Sequence, residues 1–479
     1  MVESEPIKAH SYTTLIPLLI PPTDTMSSTT RFSSEQFFAS WKFELDHDFT
    51  KDGQPATFFP GHPKQWGDEN ARLDLPKLEQ YQSRIIALNE DGTLLGVGVG
   101  GDVLIYDMAS LSLLRTLRGI RPRSMSSIVF QPGRGRDAKV LVGANYIQGQ
   151  RSKTLPIFKC WDLVDAGSSQ DAMVEAAKAS ASVVVRTMVG KGSWSEGDVD
   201  ESKVQQEILD AISWTHLELE LQKGRAFEGT IQGKVFSPDG SFFLFFKERN
   251  TVVAIDIESL QECYSLVGHT GNIIWAEATP DNNIIGTSSW DHTVRLWDAA
   301  TGQEIRVLTG ATNRSLSGAF SPDGKLICAG CEDHRIRVWS VESGGLLHTL
   351  DGYRQRVRSL AFSPDGKSLV ATGASGGNLM VFDLETGKSR QNWKLKLSVV
   401  ETHFVAVTNL LYTSRGLLVF RAGDGLVFTY DEKTNEKGQY EHGPGVSVSS
   451  SGGHAIVTPD GKTLIVADFD GCVRFWSLD

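Results

Sequence analysis

The sequence predicts an all-β repeat fold, because one four-residue turn motif recurs at a spacing of 42 residues. Ser-Pro-Asp-Gly or a close variant stands at residues 237–240, 279–282, 321–324 and 363–366. A period near 40 residues is typical of repeat architectures. Ser or Thr suits the first position of a type I turn, and Pro presets the backbone angle of the second. Each motif is therefore expected to close a β-hairpin.

Strands flank each turn in the same order. An apolar segment such as 359–362 precedes the turn, and another such as 326–329 follows it. A third strand ends some 18 residues past the turn in an aromatic residue, often followed by Asp, and a fourth ends near a Gly such as Gly310. Third-strand endings of this kind fall at Tyr106, Trp161, Trp297, Trp339, Phe382, Tyr430 and Trp476, and an eighth falls at Ile255, where an aliphatic residue precedes Asp256.

The unit that runs from Gly268-His269 to Trp297-Asp298 resembles the WD40 family. The resemblance covers residues 84–479 and implies a β-propeller with four strands in each blade. Eight third-strand endings predict eight blades. Seven blades are the alternative, in which one degenerate unit packs as an extension.

The last unit has three strands, since the sequence ends three residues after Trp476. An open ring would leave an unpaired strand edge, which sheet proteins avoid. WD40-like propellers usually close by borrowing a strand from the other terminus. We therefore expect an N-terminal extension, residues 36–83, to supply it, from residues 41–45 or from the segment 73–81.

Two further segments interrupt or precede the repeats. Residues 1–35 are rich in Ser, Thr and Pro, which predicts a disordered tail. After Trp161-Asp162 the chain carries an insertion at about 165–213. Its apolar residues recur at helical spacing at Val204, Ile208 and Ile212. A helical arm on the bottom face of the ring is the prediction.

Composition narrows the function class. The net charge of −11 argues against general nucleic-acid binding. The sequence contains no run of 18 apolar residues, so we expect no membrane-spanning helix. Five cysteines form no even disulfide framework, which favours an intracellular protein of the cytoplasm or nucleus. Cys328 and Cys331 have metal-like spacing without a second pair, so neither a metal site nor a cofactor is predicted.

One repeat contains a full set of four residues that could form a hydrogen-bonded network. His269, Ser289, Asp291 and Trp297 occupy the positions where WD40-like blades carry a hydrogen-bonded tetrad. The resemblance implies that Asp291 accepts from His269, while Ser289 bridges His269 and the Trp297 indole. A catalytic His-Asp pair is the alternative, but its nucleophile would be a Ser already used in packing. The tetrad is therefore interpreted as structural, and no catalytic residue is predicted.

Charge suggests a binding surface. Links between one blade's fourth strand and the next blade's first strand lie on the top face of WD40-like rings. These links and the adjacent turns carry the candidate partner-binding residues Arg121, Arg123, Arg314, Arg354, Arg356, Trp290 and Phe469. Arg314, Arg354 and Arg356 are expected to form one patch, with Arg121 and Arg123 in a separate one. In the alternative, these arginines only pair with nearby acidic groups such as Glu332.

A ring of variable loops offers binding surfaces, and the fold itself specifies no reaction. The sequence therefore predicts a non-catalytic protein-interaction scaffold or assembly subunit. The alternative is a recognition module that holds an acidic or phosphorylated peptide, or another anion, on the top-face arginines. An eight-bladed quinoprotein-like enzyme is a third class. It would need a secretion route and a cofactor cage, and the sequence shows neither.

Overall fold

The structure is a computed structural model. It describes residues 43–45, 49–51, 53–76, 85–100, 102–117, 122–148, 153–163, 226–228, 230–231, 234–353, 355–373, 378–397, 407–422, 426–441, 454–468 and 470–479. The predicted tail at 1–35 and the predicted helical arm at about 165–213 lie outside these residues.

Eight antiparallel sheets follow one another around a ring, which confirms eight blades rather than seven. The N-terminal extension carries β1 Phe43–Leu45, β2 Thr50–Lys51, β3 Gln54–Pro55, β4 Thr57–Phe58, β5 Lys64–Gln65 and β6 Ala71–Asp74. Blade 1 consists of β7 Ile86–Leu88, β8 Leu94–Val99, β9 Asp102–Asp107 and β10 Leu113–Leu117, and blade 2 of β11 Pro122–Phe130, β12 Lys139–Gln148, β13 Lys153–Asp162 and β14 Ala226–Glu228. Blade 3 consists of β15 Phe242–Glu248, β16 Thr251–Asp256 and β17 Glu262–Val267. Blade 4 consists of β18 Ile273–Ala278, β19 Ile284–Ser289, β20 Val294–Asp298 and β21 Glu304–Leu308.

Blade 5 consists of β22 Ser315–Phe320, β23 Leu326–Cys331, β24 Ile336–Ser340 and β25 Leu346–Leu350, and blade 6 of β26 Val357–Phe362, β27 Ser368–Gly373, β28 Asn378–Asp383 and β29 Ser389–Leu397. Blade 7 consists of β30 Thr408–Tyr412, β31 Leu418–Arg421, β32 Val427–Asp431 and β33 Glu436–Glu441. Blade 8 consists of β34 His454–Val457, β35 Thr463–Ala467 and β36 Cys472–Ser477. A single 3₁₀ turn, Gly135–Asp137, lies in blade 2 among the described residues. In blade 3 the place of the first strand is taken by two isolated β-bridges to β15. They join Thr230 to Phe246 and Phe236 to Phe243.

The recurring turn motif closes the hairpin between the first two strands of a blade, as expected. In blade 5 the amide of Gly324 donates to the carbonyl of Ser321 at 2.9 Å, and the Ser321 hydroxyl donates to Asp323 at 2.6 Å. Gly324 has φ of 70°, a left-handed conformation that glycine adopts without a steric penalty. The backbone of the turn therefore explains why Gly recurs at its fourth position.

Among the described residues, the hydrophobic core forms eight clusters, one between each pair of neighbouring blades. Between blades 4 and 5, for example, Leu296 packs with Phe320 and Trp339. Gly286 allows close contact there, since a Cβ at this position would lie 2.6 Å from the Phe320 ring. Between blades 8 and 1, Val473 packs with Leu95. Every blade is thus stabilised by apolar contacts on both of its faces.

The N-terminal extension closes the ring, as predicted. Of the two candidate segments, the one near Leu73 supplies the fourth strand of blade 8: β6 pairs antiparallel with β36, with Leu73 opposite Val473. The other candidate, residues 41–45, does not close the ring. Its described part, β1, adds a fifth strand to blade 6 beside β29. Between these two, β4 and β5 pair in parallel with β33 of blade 7.

The closing strand is held by a buried cation. The Arg474 guanidinium lies 3.6 Å from the ring centroid of Trp66 and 3.7 Å from Glu69, two residues of the extension. It also donates to Asp470 of its own blade at 3.2 Å. Only 3% of its side chain is exposed. Arg474 therefore links the last blade of the ring to the N-terminal extension electrostatically.

We expect Arg474→Met to destabilise the protein by about 3–5 kcal/mol, because it leaves the Glu69 carboxylate, whose side chain is only 8% exposed, and the more exposed Asp470 carboxylate without their cation. The matched control is Arg72→Ala on the same strand pair, which removes an ion pair with Asp74 that is half exposed. It should cost about 0–1 kcal/mol. Denaturant unfolding measures both. Equal effects of the two changes would show that Arg474 does not secure the closure.

Candidate functional site

The candidate site lies on one face of the ring. Strands within each blade are antiparallel, so the links after the second and the fourth strand emerge on the same face, here called the top face. In blade 4 these are the turn after β19 and the link after β21. Of the candidate residues from the sequence, Trp290, Arg314 and Arg356 occupy such positions in the described part of the chain.

A buried hydrogen-bond network supports the top face of blade 4. His269 Nδ1 lies 2.7 Å from Asp291 Oδ2, and its Nε2 lies 2.8 Å from Thr287 Oγ1. The Trp297 indole Nε1 donates to Thr287 Oγ1 at 2.9 Å. One proton arrangement satisfies every group: Trp297 donates to Thr287, Thr287 to His269 Nε2, and His269 Nδ1 to Asp291.

The prediction that Ser289 bridges His269 and Trp297 is wrong, because Thr287 takes that position. Ser289 lies at the end of β19, where its hydroxyl accepts from the Asp291 amide at 3.2 Å. Residues two apart point to the same side of a strand but are about 6.6 Å apart along it. Trp297 pairs with Ile285 in the register of the two strands, so its indole meets Thr287 first.

Burial determines the charge states of this network. It lowers the pKa of His269 below its usual value of 6.5, against a smaller opposing effect of the Asp291 hydrogen bond. Burial acts to raise the pKa of Asp291, but hydrogen bonds from Thr293 and His269 outweigh it and bring the pKa to about 2. At neutral pH the pair therefore consists of a neutral imidazole and a carboxylate.

Other blades use an arginine where blade 4 uses histidine, which the sequence analysis missed. In blade 5, Arg337 donates to both oxygens of Asp333, at 3.0 and 2.6 Å, with only 2% of its side chain exposed. Arg474 and Asp470 form the same pair in blade 8. The sequence signal is an Arg two residues before the third-strand Trp and four residues after the turn Asp, in a unit without a histidine equivalent to His269. Blade 4 also has an arginine at this spacing, Arg295, but it pairs with Glu304.

Four side chains of three consecutive blades meet on the top face, and we call them the Trp290 cluster: Trp290, Arg314, Glu332 and Arg356. The Arg314 guanidinium lies 4.8 Å from the centroid of the Trp290 ring. Glu332 stands between the two arginines, with its oxygens 4.0 Å from Arg314 and 3.8 Å from Arg356. Trp290 is 36% exposed, and about half of each arginine side chain is in solvent.

The backbone beneath the cluster is held in place by close contacts. The amide of Trp290 donates to the Asn272 carbonyl at 2.9 Å, and the amide of Glu332 donates to the Arg314 carbonyl at 2.8 Å. A Cβ on Gly271 would lie 2.5 Å from the Asp291 amide nitrogen, so only glycine fits against this turn. The cluster is therefore presented on positioned turns, as a binding surface requires.

The remaining candidates do not join this cluster in the described part of the chain. Arg121, Arg354 and Phe469 lie outside the described residues. Arg123 belongs to β11 and not to the preceding link, because that strand already begins at Pro122, and its side chain is not described. The expected patch of Arg314, Arg354 and Arg356 is thus represented by Arg314 and Arg356, which share the Glu332 carboxylate.

The electrostatics of the cluster favour an anionic ligand. Two guanidinium groups face one carboxylate at distances longer than hydrogen bonds, so the cluster carries a net positive charge and both arginines retain N–H donors. A planar guanidinium matches a carboxylate or phosphate with two parallel hydrogen bonds. Within the described residues, no three His, Cys, Asp or Glu side chains are grouped to hold a metal ion.

Comparison with known proteins identifies the repeats. A family model described as WD domain, G-beta repeat matches residues 260–298, 302–340, 344–383 and 439–477. A search of curated proteins returns no match to the chain. Across the described residues, no helix has the length and apolar character that a membrane crossing requires.

We expect Thr287→Val to destabilise the protein by about 1–3 kcal/mol, because His269 and Trp297 both lose their buried partner. Ser289→Ala is the matched control and should cost less, since it removes one bond at the end of the strand. Denaturant unfolding of both variants compares them. A larger loss for Ser289→Ala would restore the original assignment of the bridging hydroxyl.

Acid should weaken the fold through histidines that are buried or partly buried. Burial lowers the pKa of His62, His269 and His454 in the folded protein below the unfolded value of 6.5. Below that pH the unfolded chain binds more protons, so stability falls as pH drops through 6.5 toward the folded values. Melting curves between about pH 7.5 and 5.5 should show this decrease, with a shallower slope for His269→Gln. An unchanged slope in that variant would exclude His269 as a source.

Proposed function

Because the chain belongs to the WD40-repeat β-propeller family, we propose that it is a non-catalytic protein-interaction scaffold or assembly subunit whose partner binds at the Trp290 cluster. Propellers of this family generally serve as protein-interaction scaffolds. Their rigid ring presents variable links without itself specifying a reaction. The proposal therefore depends on which links of this chain are built for contact.

The single observation that carries the proposal is the exposed pairing of Trp290 with Arg314 on the top face. Trp and Arg are the residue types most enriched among those that dominate binding energy at protein interfaces. A Trp at the tip of a turn is stabilised by burial only when another surface covers it. Arg314 stacked on its ring orients both side chains before a partner arrives, which reduces the entropy lost on binding.

The charge of the cluster supports a finer statement about the partner, namely that it carries an acidic or phosphorylated segment. Glu332 lies 3.8–4.0 Å from its two arginines, so it neutralises one charge without occupying the hydrogen-bond donors of either. A carboxylate or phosphate of the partner would form shorter, charge-assisted bonds to the same guanidinium groups. On a chain of net charge −11, such a site is a local exception.

The His269–Asp291 pair resembles a catalytic pair, but its environment supports a structural role. The His269 side chain has no exposed surface, and its two nitrogens are bonded to Asp291 and Thr287. A general base must reach the proton that it abstracts, directly or through one water molecule. The network therefore stabilises blade 4, and the proposal assigns no reaction to it.

The cysteines fit the proposed location in the cytoplasm or nucleus. All five are free thiols, and Cys328 and Cys331 are fully buried in blade 5. Burial raises the pKa of Cys160 to about 12, so this thiol stays protonated and unreactive at neutral pH. Reduced thiols of this kind are stable in a reducing compartment.

We expect Arg314→Glu/Arg356→Glu to abolish capture of the partner while leaving the melting curve nearly unchanged, because both side chains are half exposed. Affinity purification from a cell lysate followed by mass spectrometry measures capture. Arg115→Glu on the outer strand of blade 1 makes half of this charge change, so it is the matched control for the single variants Arg314→Glu and Arg356→Glu. Wild-type capture should also weaken as salt rises, since exposed charges are screened within about 8–10 Å near physiological ionic strength.

Undiminished capture by the folded double variant would contradict the top-face proposal. Loss of capture in the Arg115→Glu control as well would show only a general response to net charge. Trp290→Ala separates the role of the aromatic side chain from that of the arginines. This variant should capture less partner, while the remaining capture should still weaken as salt rises.

A further inference from the structure

The hairpin turn between β15 and β16 of blade 3 lies on the top face and is fixed against blade 4. Arg249 and Asn250 form the tip of this turn. The Asn250 side-chain amide donates to the His269 carbonyl at 3.2 Å, and the Ile273 amide donates to the Arg249 carbonyl at 2.6 Å. Both bonds reach the segment that opens blade 4, so the position of the tip is set by the blade that carries the Trp290 cluster.

This contact brings Arg249 close to Trp290. Ile273, which bonds to the Arg249 carbonyl, follows Asn272, and the Asn272 carbonyl accepts from the Trp290 amide at 2.9 Å. Because the two bonds end on adjacent residues, the Cα atoms of Arg249 and Trp290 are no more than about 12 Å apart. Arg249 stands on the blade 3 side of Trp290, whereas the two arginines of the cluster stand on the side of blades 5 and 6.

The Arg249 side chain is free to bind a ligand. It is exposed, and its guanidinium forms no ion pair or hydrogen bond within the described part of the chain. The other cation of this hairpin differs, since the Lys247 ammonium lies 3.6 Å from Glu262 of the outer strand β17. An unpaired guanidinium keeps all its N–H donors for a carboxylate or phosphate. The top face therefore presents a second cation beyond the exposed indole of Trp290.

We propose that Arg249 is a further partner-binding residue, and that the partner presents an extended segment with two anionic side chains. One anion binds at Arg314 and Arg356, the other binds at Arg249, and the segment covers Trp290 between them. An extended chain advances about 3.3 Å per residue, so the two anionic residues are about four or five positions apart. Carboxylates and phosphates share this chemistry. The inference rests on the proposed function, because it needs a partner at the Trp290 cluster.

Synthetic peptides test this arrangement with the purified full-length protein. Fluorescein-labelled peptides of Ser and Gly with a central Leu carry one phosphoserine or two, and the two are placed from adjacent to about eight residues apart. A second series replaces phosphoserine with Glu, which distinguishes a phosphorylated from an acidic partner. Fluorescence anisotropy measures the Kd. We expect affinity to peak at a separation of about four or five residues, several-fold above that of the peptide with one anion.

The variant Arg249→Ala isolates the second contact. It should remove the several-fold gain from the second anion and leave the affinity for the single-anion peptide unchanged. The matched control is Lys247→Ala, which removes the same charge from the same hairpin and should change neither affinity. Melting curves of both variants should match the wild type, since both side chains are exposed. Arg314→Glu/Arg356→Glu should abolish binding of both kinds of peptide.

The outcomes separate the role of Arg249 from that of the Trp290 cluster. If Arg314→Glu/Arg356→Glu abolishes binding but Arg249→Ala keeps the full gain from the second anion, Arg249 is not a partner-binding residue and the proposed function stands. A flat dependence on separation, or an equal loss in Lys247→Ala, also overturns the second contact. Peptides that do not bind, or that bind the double variant as well as the wild type, overturn both proposals.

Discussion

The pairing of β6 with β36 is the constraint on which the rest of the structure depends. Each blade buries its two faces only against neighbouring blades, and all eight apolar clusters lie between blades. A ring with one missing contact would expose two faces and one strand edge together. The N-terminal strand removes that defect, and the buried Arg474 secures it to the extension.

Closure also explains why surface positions can diverge while the ring persists. The supporting network beneath the top face is a neutral His269 with Asp291 in blade 4 and an Arg–Asp pair in blades 5 and 8. Both arrangements give the carboxylate of the turn Asp a buried hydrogen-bond partner next to the same turn. Side chains that project from these turns, including Trp290, are therefore free to differ between blades without loss of packing.

Much of the fold was predictable from local patterns. The turn motif specifies its own hydrogen bonds, and its Gly is required by a left-handed backbone, so the blade boundaries could be predicted from residues such as Ser321 and Gly324. The bridging hydroxyl was not predictable in this way. Ser289 and Thr287 face the same side of β19, and only the register with Trp297 decides between them.

The sequence by itself determined the class of fold and the need for a closing strand and favoured eight blades over seven, because these follow from short-range periodicity and from a count of strands. The tertiary structure alone decided which N-terminal segment closes the ring and which arginines meet. Residues 41–45 and 73–81 both suit a strand, and the places of their paired residues depend on contacts with strands about 350 to 400 positions away. Arg314, Glu332 and Arg356 likewise come from separate blades, and only the curvature of the ring brings them together.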